Sequence, residues 1–88
     1  MSEFVSVEIK KHIGTIRKSE IGWTKEFNLV SWNGKEPKYD IREWNERHDR
    51  MSRGSTFTRE EAQKLLLTLI DSDLLDTSVI IKRAMKRG

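Results

Sequence analysis

The sequence contains no cysteine, which excludes disulfide bonds, thiolate zinc sites and cysteine nucleophiles together. It has only two histidines, too few for a metal site built from histidine alone. No apolar run approaches the roughly 18 residues that a membrane-spanning helix needs. The first residues, Met1 to Phe4, lack the basic and then apolar pattern of a signal peptide. These absences predict a cytoplasmic protein with no bound metal and no membrane anchor.

Apolar residues are also scarce. They make up 35% of the 88 residues, and charged residues make up another 35%. Typical domains have roughly 45–50% apolar and about 25% charged residues. A chain this short and this polar either stays partly disordered or shares a core with a partner. Apolar residues in the middle of the chain recur with clear periods, so we favour a shared core.

Alternating apolar and polar residues predict four β-strands. They cover residues 9–19, 23–32, 38–44 and 54–57. Asn33-Gly34, between the second and third strands, is the strongest short hairpin signal. Gly14 predicts a bulge or a bend in the first strand, and Gly22 predicts a turn with positive φ before the second. Residues 1–8 are expected to form an N-terminal arm, and residues 45–53 a polar loop.

Helical signals follow the last strand. Thr58 and Glu61 have the spacing of a capping box, and the next apolar residues recur at helical spacing: Ala62, Leu65, Leu66 and Leu69. Asp71-Ser72-Asp73 is expected to interrupt or end this helix, and residues 74–88 are expected either to continue it or to start a second helix capped near Asp76 or Thr77.

Strands followed by a helix predict an α+β domain over residues 9–72, with the helix covering one face of a curved antiparallel sheet. Residues 73–88 then form a basic helical tail. Its cations would add non-specific attraction to phosphates; they are Lys82, Arg83, Lys86 and Arg87.

Alternate side chains of the two central strands point to opposite faces of the sheet. Phe27, Leu29, Tyr39 and Ile41 share one face and are predicted to form the core. The opposite face carries Trp32, Trp44, Arg42 and Lys38. Exposed indoles beside cations form a stacking platform for unpaired bases. The alternative is that both tryptophans pack in the core and that the cations are an ordinary solvated surface.

The other groups of polar residues give little indication of a catalytic or metal-binding site. His48 and Asp49 are neighbours on a polar loop with no nucleophile implied nearby. The spacing of Asp40, Glu43 and Glu46 fits no EF-hand, and Asp40 is expected to pair with a neighbouring cation instead. The sequence has no glycine-rich phosphate loop and no nucleophile elbow. It therefore predicts a protein that is not an enzyme and has no cofactor, no metal and no small-molecule substrate.

Three stretches together resemble bacterial YdbC-type proteins, relatives of the eukaryotic transcriptional coactivator positive cofactor four. They are Trp23 to Gly34, Pro37 to Trp44, and Arg53 to Ala62. The resemblance extends from about Ile9 to Ile70. It implies a curved four-stranded sheet followed by a helix, and a two-fold dimer built through the helices, with Leu65, Leu66 and Leu69 at the interface. It also implies binding of single-stranded DNA with little sequence preference.

The resemblance also implies which residues contact nucleic acid. It points to Lys25, Trp32, Lys35, Arg42, Trp44 and Arg53, and Lys38 joins them through its shared face. Lys25 is the exception to the parity pattern, because alternation places it on the apolar side. Two departures stand out: Pro37 lengthens the entry to the third strand, and the serine-rich acidic arm of the eukaryotic protein is missing.

The prediction for function is therefore a homodimer that binds single-stranded DNA in transcription, replication or repair, on the nucleoid if bacterial. A coactivator role that depends on the acidic arm has no support in this sequence. Two alternatives stay open. One is an RNA-binding module, since exposed tryptophans serve either nucleic acid. The other is a protein-interaction domain in which the tryptophans anchor an interface.

Overall fold

The computed structural model describes residues 6–87. Four strands come first: β1 (Val7–Lys18), β2 (Thr24–Trp32), β3 (Lys38–Trp44) and β4 (Met51–Phe57). Two helices follow, α1 (Arg59–Asp71) and α2 (Thr77–Arg87). The strands form one antiparallel sheet in chain order. The predicted α+β class, with strands before helices, is confirmed.

The strand boundaries differ from prediction by a few residues. β1 begins at Val7 and so includes two residues of the predicted arm, whose residues 1–5 lie outside the described part of the chain. β4 begins at Met51, three residues before the predicted start. The start of β4 pairs with Trp44 across a register shift. Because the shift interrupts regular alternation, the pattern of apolar and polar residues does not indicate a strand there.

The predicted turns are confirmed. Asn33 and Gly34 have φ of 54° and 72°, and the Lys35 amide donates to the Trp32 carbonyl at 2.9 Å. Positive φ at both central residues matches the right-handed twist of a hairpin. Gly22 has φ of 90° in the turn between β1 and β2.

β1 carries three register shifts against β2. Each adds one residue to β1, between Ile9 and Lys11, between His12 and Gly14, and between Thr15 and Arg17. The bulge predicted at Gly14 is the second of these. Bulges bend a strand and increase its twist, so three in succession curl this edge of the sheet.

The curled sheet buries the face opposite to the one predicted. We call the face with Asn28, Val30, Asp40 and Trp44 the concave face, because its ends converge: Val7 and Ile9 line the same cavity as Trp44 and Met51. Val30 and Trp44 are the buried apolar side chains of the described residues. The predicted core residues, Phe27, Leu29, Tyr39 and Ile41, lie on the convex face and are half-buried. The core-face prediction is wrong because curvature, rather than apolar content, decides which face the chain itself encloses.

The helices begin and end where predicted. The Thr58 hydroxyl accepts from the Glu61 amide at 3.1 Å, and the Glu61 carboxylate accepts from the Thr58 amide at 2.8 Å, which confirms the capping box. α1 ends at Asp71, and Asp73 has φ of 61°. The Asp76 carboxylate accepts from the Ser78 amide at 3.2 Å and caps α2.

The prediction that a helix covers the sheet is wrong for the single chain. Neither helix has a buried residue, and α1 makes only slight contact with β3 and β4. Leu65, Leu66 and Leu69 are 36%, 52% and 41% exposed. The radius of gyration is 15.2 Å, whereas a compact domain of this length is expected at about 12 Å. One chain therefore leaves much of its apolar surface uncovered.

Candidate nucleic-acid interface

Arg42 is held by a buried ion pair with Asp40. Asp40 is 0% exposed, and Arg42 donates to its two carboxylate oxygens from Nε and Nη2, both at 2.8 Å. Nη1 donates to the Ser52 carbonyl at 3.2 Å. Pairing of Asp40 with a neighbouring cation was predicted and is confirmed. The guanidinium of Arg42, a residue predicted to contact nucleic acid, is thus largely occupied by protein acceptors.

Trp32 lies beneath this guanidinium. The Arg42 Cζ atom is 4.6 Å from the centroid of the Trp32 ring, within the range of a cation–π interaction. Trp32 is half-buried, and its indole nitrogen is enclosed without a hydrogen-bond partner among the described residues. Part of the Trp32 ring therefore remains open while Arg42 covers another part.

Trp44 is buried, so the expectation that it is exposed is wrong. Its exposed fraction is 3%. The loop after β3 folds back and places the His48 ring on Trp44, with centroids 5.7 Å apart and planes at 25°. His48 reaches this position with φ of 60°, and its Nε2 is 2.9 Å from a carboxylate oxygen of Glu26. Alternation along β3 alone does not reveal a loop that covers the end of the strand.

Glu26 is the centre of a polar network on the concave face. Its carboxylate accepts hydrogen bonds from Thr24, from Asn28 at 3.1 Å and from His48. His12 Nδ1 is 2.7 Å from the Asn28 side-chain oxygen. Burial raises the pKa of Glu26, but these hydrogen bonds together with the charge of His48 outweigh burial and hold the pKa below its ordinary value.

The Glu26 network predicts a pH dependence of stability. A carboxyl group whose pKa is lower in the folded than in the unfolded chain stabilises the fold above its unfolded pKa, and this contribution is lost as pH falls through the folded pKa. We expect the free energy of unfolding to decline below about pH 4.5, the ordinary value for this group. Glu26→Gln should make the decline shallower in urea titrations from pH 3 to 6. An unchanged pH profile in this variant would contradict the role given to Glu26.

The other cations predicted to contact nucleic acid lie in two places. Lys35 lies in the loop between β2 and β3 and Lys38 begins β3, both close in sequence to Trp32. Lys25 and Arg53 line a shallow cleft of about 350 Å³ with the convex-face residues Ile41 and Phe57. The structure thus gathers Trp32, Lys38, Arg42 and Trp44 on the concave face as predicted, but places Lys25 on the other face.

Gly54 fixes the separation of β3 and β4 beside Arg42. A Cβ atom there would lie 2.3 Å from the Ile41 carbonyl oxygen and 2.4 Å from the Arg42 Cβ. Glycine is needed at this point because the neighbouring backbone approaches so closely. Gly54 thereby holds the edge strand against the part of β3 that carries the Asp40–Arg42 pair.

Sequence reasoning missed two residues of this arrangement, Glu26 and His48. Glu26 carried a usable signal, since it shares its face with Asn28 and Val30, but that face was expected to be open. His48 carried no positional signal, because its place depends on the path of the loop. Among residues 6–87, no cluster of three side chains suits a metal ion, and no helix is long and apolar enough to span a membrane.

The fold and these side chains define a small α+β module with a curled antiparallel sheet, cationic loops and apolar helices that the single chain leaves uncovered. Residues 19–67 match the family described as Transcriptional Coactivator p15 (PC4). An uncharacterized protein of Treponema pallidum (strain Nichols) is 41% identical over 69 residues, which cover 78% of this chain and 80% of that protein. The chain belongs to the PC4 family.

Proposed function

We propose that the chain is a non-catalytic protein that binds single-stranded DNA with little sequence preference. One observation carries the proposal: a PC4-family chain places the exposed Lys35 and Lys38 beside a partly open Trp32 ring at one end of a curled sheet. Cations that follow the phosphate backbone, together with an aromatic ring for a base to stack on, form the usual single-strand site. Lys25 and Arg53 extend the cationic surface on the other side of the sheet.

Arg42 and Trp44 have a supporting role in this proposal. Arg42 orients Trp32 by lying over its ring, and Trp44 holds the loop through His48. Both side chains thus belong to the site by shaping it. The contacts with DNA fall to Trp32, Lys35 and Lys38, and to Lys25 and Arg53.

Binding should favour unpaired DNA. Stacking on Trp32 requires base faces, and a duplex hides them between neighbouring pairs. Fluorescent oligo-dT, a duplex of the same length and oligo-U, each titrated at two salt concentrations, measure this directly. We expect the tightest binding to oligo-dT. Equal or tighter binding to the duplex would overturn the proposal, tighter binding to oligo-U would indicate the RNA-binding alternative, and affinity insensitive to salt would indicate apolar docking of a protein.

Lys35 and Lys38 should govern the salt dependence. Each alanine substitution removes one phosphate contact, which lowers the slope of log K against log salt by about 0.7 for a single strand. Lys64→Ala is the matched control, because Lys64 is an exposed cation on α1 and not on a strand of the sheet. If all three variants keep the parent slope, the two lysines make no contact with phosphate.

We propose that the active form is a two-fold homodimer joined through α1. The described residues bury only Val30 and Trp44 as apolar core, while the leucines of α1 stay exposed. Burial of such a stripe contributes about 25 cal/mol per Å², and a second copy is a partner that always accompanies the chain. Light scattering at micromolar concentration should give about twice the 10.4 kDa chain mass. A mass of one chain would refute the dimer.

The proposed setting is transcription, replication or repair, where single strands are transiently open. A protein with this activity would act in the cytoplasm, on the nucleoid of a bacterial cell. The mild excess of positive charge, +3 for the chain, supports a polyanionic partner.

A further inference from the structure

α2 presents an apolar stripe and a set of cations without packing on its own chain. Ile80, Ile81, Ala84 and Met85 recur at helical spacing. Within residues 6–87, α2 makes no extensive contact with any strand or with α1. Ile81 and Met85 are 51% and 75% exposed. Exposed apolar surface of this kind indicates an interaction site.

The charges of α2 are opposite to those of the preceding segment. All four charged residues of α2 are cations, a net charge of +4. Residues 59–76 hold five carboxylates and two cations, a net charge of −3. Complementary potentials steer association and fix its orientation. The charge of α2 is thus complementary to an acidic surface such as that of residues 59–76.

A cleft of about 570 Å³ lies at the start of α1. It is lined by apolar residues, Leu29, Pro37 and Tyr39, and by the carboxylates of Glu36 and Glu60. Lys38 and Arg59 line it as well, so the charge of the cleft itself is balanced. The cleft therefore offers an apolar surface with carboxylates beside it.

We propose that α2 of each protomer docks into this cleft of its partner. The apolar stripe of α2 faces the cleft, and Arg87, the cation of α2 nearest to the stripe, pairs with Glu36 and Glu60. This inference rests on the proposed dimer. It adds that the partner's basic helix completes the surface beside the β2–β3 hairpin, which a single chain leaves open.

Connectivity supports docking between chains. In an antiparallel pair of α1 helices, the end of one lies beside the start of the other. α2 follows α1 after five residues and so begins next to the partner's cleft. The cleft of its own chain lies a full α1 length away, about 20 Å for 13 residues at 1.5 Å each.

Cysteine cross-linking tests the proposal on a chain that has no cysteine of its own. A tagged chain with Glu60→Cys and a differently tagged chain with Met85→Cys are mixed, allowed to exchange subunits and oxidised. We expect a disulfide-linked species that carries both tags. A pair of Glu20→Cys and Met85→Cys chains is the control, because Glu20 lies in the exposed turn between β1 and β2. A dimer that gives no more mixed product than this control would overturn the docking.

Charge reversal separates docking from phosphate binding. Arg87→Glu should weaken the dimer at least tenfold, and adding Glu36→Lys and Glu60→Lys should restore it. Lys86→Glu makes the same charge change on the side of α2 opposite the apolar stripe, and should leave the dimer constant unchanged. Sedimentation equilibrium gives the dimer constant of each full-length variant.

The outcomes distinguish this inference from the proposed function. A parent chain that is a monomer refutes the dimer and the docking with it. If neither charge reversal changes the dimer constant and both lower the affinity for oligo-dT equally, α2 is a phosphate-binding arm. That result would overturn the docking and leave the proposed function in place. Selective loss and rescue of the dimer supports α2 as part of the partner's surface.

Discussion

Trp44→Ala should lower the free energy of unfolding by about 3–5 kcal/mol, the usual cost of truncating a large buried aromatic side chain. Trp44 is 3% exposed, and its ring supports the His48 imidazole. Removing the indole leaves a cavity on the concave face and releases the loop that His48 fastens to Glu26. Urea unfolding monitored by circular dichroism at fixed protein concentration measures the loss, and Trp44→Phe should recover part of it.

Ile21→Ala is the matched control for this substitution, since Ile21 is 80% exposed and should change stability by less than about 0.5 kcal/mol. The binding assay separates the two roles weighed for Trp44. If Trp44→Ala unfolds like the parent chain but loses affinity for oligo-dT, the ring is an open stacking surface and the concave packing described above is wrong.

Arg42→Ala should be comparably severe, with a loss of about 3–5 kcal/mol, because it leaves a buried carboxylate without its partner. Asp40 is 0% exposed, and its carboxylate accepts hydrogen bonds from the Arg42 guanidinium. Thermal unfolding of the variant should show a midpoint far below that of the parent chain. The ring of Trp32 also loses the cation above it.

The double variant Asp40→Ala, Arg42→Ala should be more stable than Arg42→Ala alone, because no isolated charge remains buried. Arg53→Ala is the matched single substitution on the neighbouring strand, at an exposed position, and should leave stability nearly unchanged. Equal melting of the Arg42 and Arg53 variants would show that the Asp40 pair contributes nothing to the fold.

Local signals in the sequence predicted the elements well. The hairpin at Asn33-Gly34, the bulge at Gly14 and the capping box of α1 depend on residues within a few positions of one another. Backbone geometry at such sites follows from which residues tolerate positive φ or supply a capping oxygen. The pairing of Asp40 with a nearby cation was predictable for the same reason, since Arg42 is two residues away.

Which face of the sheet is buried could not be predicted from such local signals. Alternation divides residues between two faces but does not say which face the sheet encloses. Here the enclosed face holds Glu26, Asn28 and Asp40, whose polarity suggested solvent, and it tolerates them because each has hydrogen-bond partners. The position of His48 was also not predictable, because it depends on a loop that brings His48 to Glu26, 22 positions away in the sequence.

The three bulges of β1 also bear on how chains avoid one another. A regular edge strand offers a row of unpaired amides and carbonyls to any strand of another molecule, and is the usual starting point for runaway aggregation. β1 has three extra residues in 12 and carries Lys10, Lys11, Arg17 and Lys18. A strand from a second molecule would meet an uneven row of hydrogen-bonding groups and a line of like charges. This edge is therefore closed to indefinite growth, which agrees with the proposal that copies meet through the helices and that assembly ends at a closed pair.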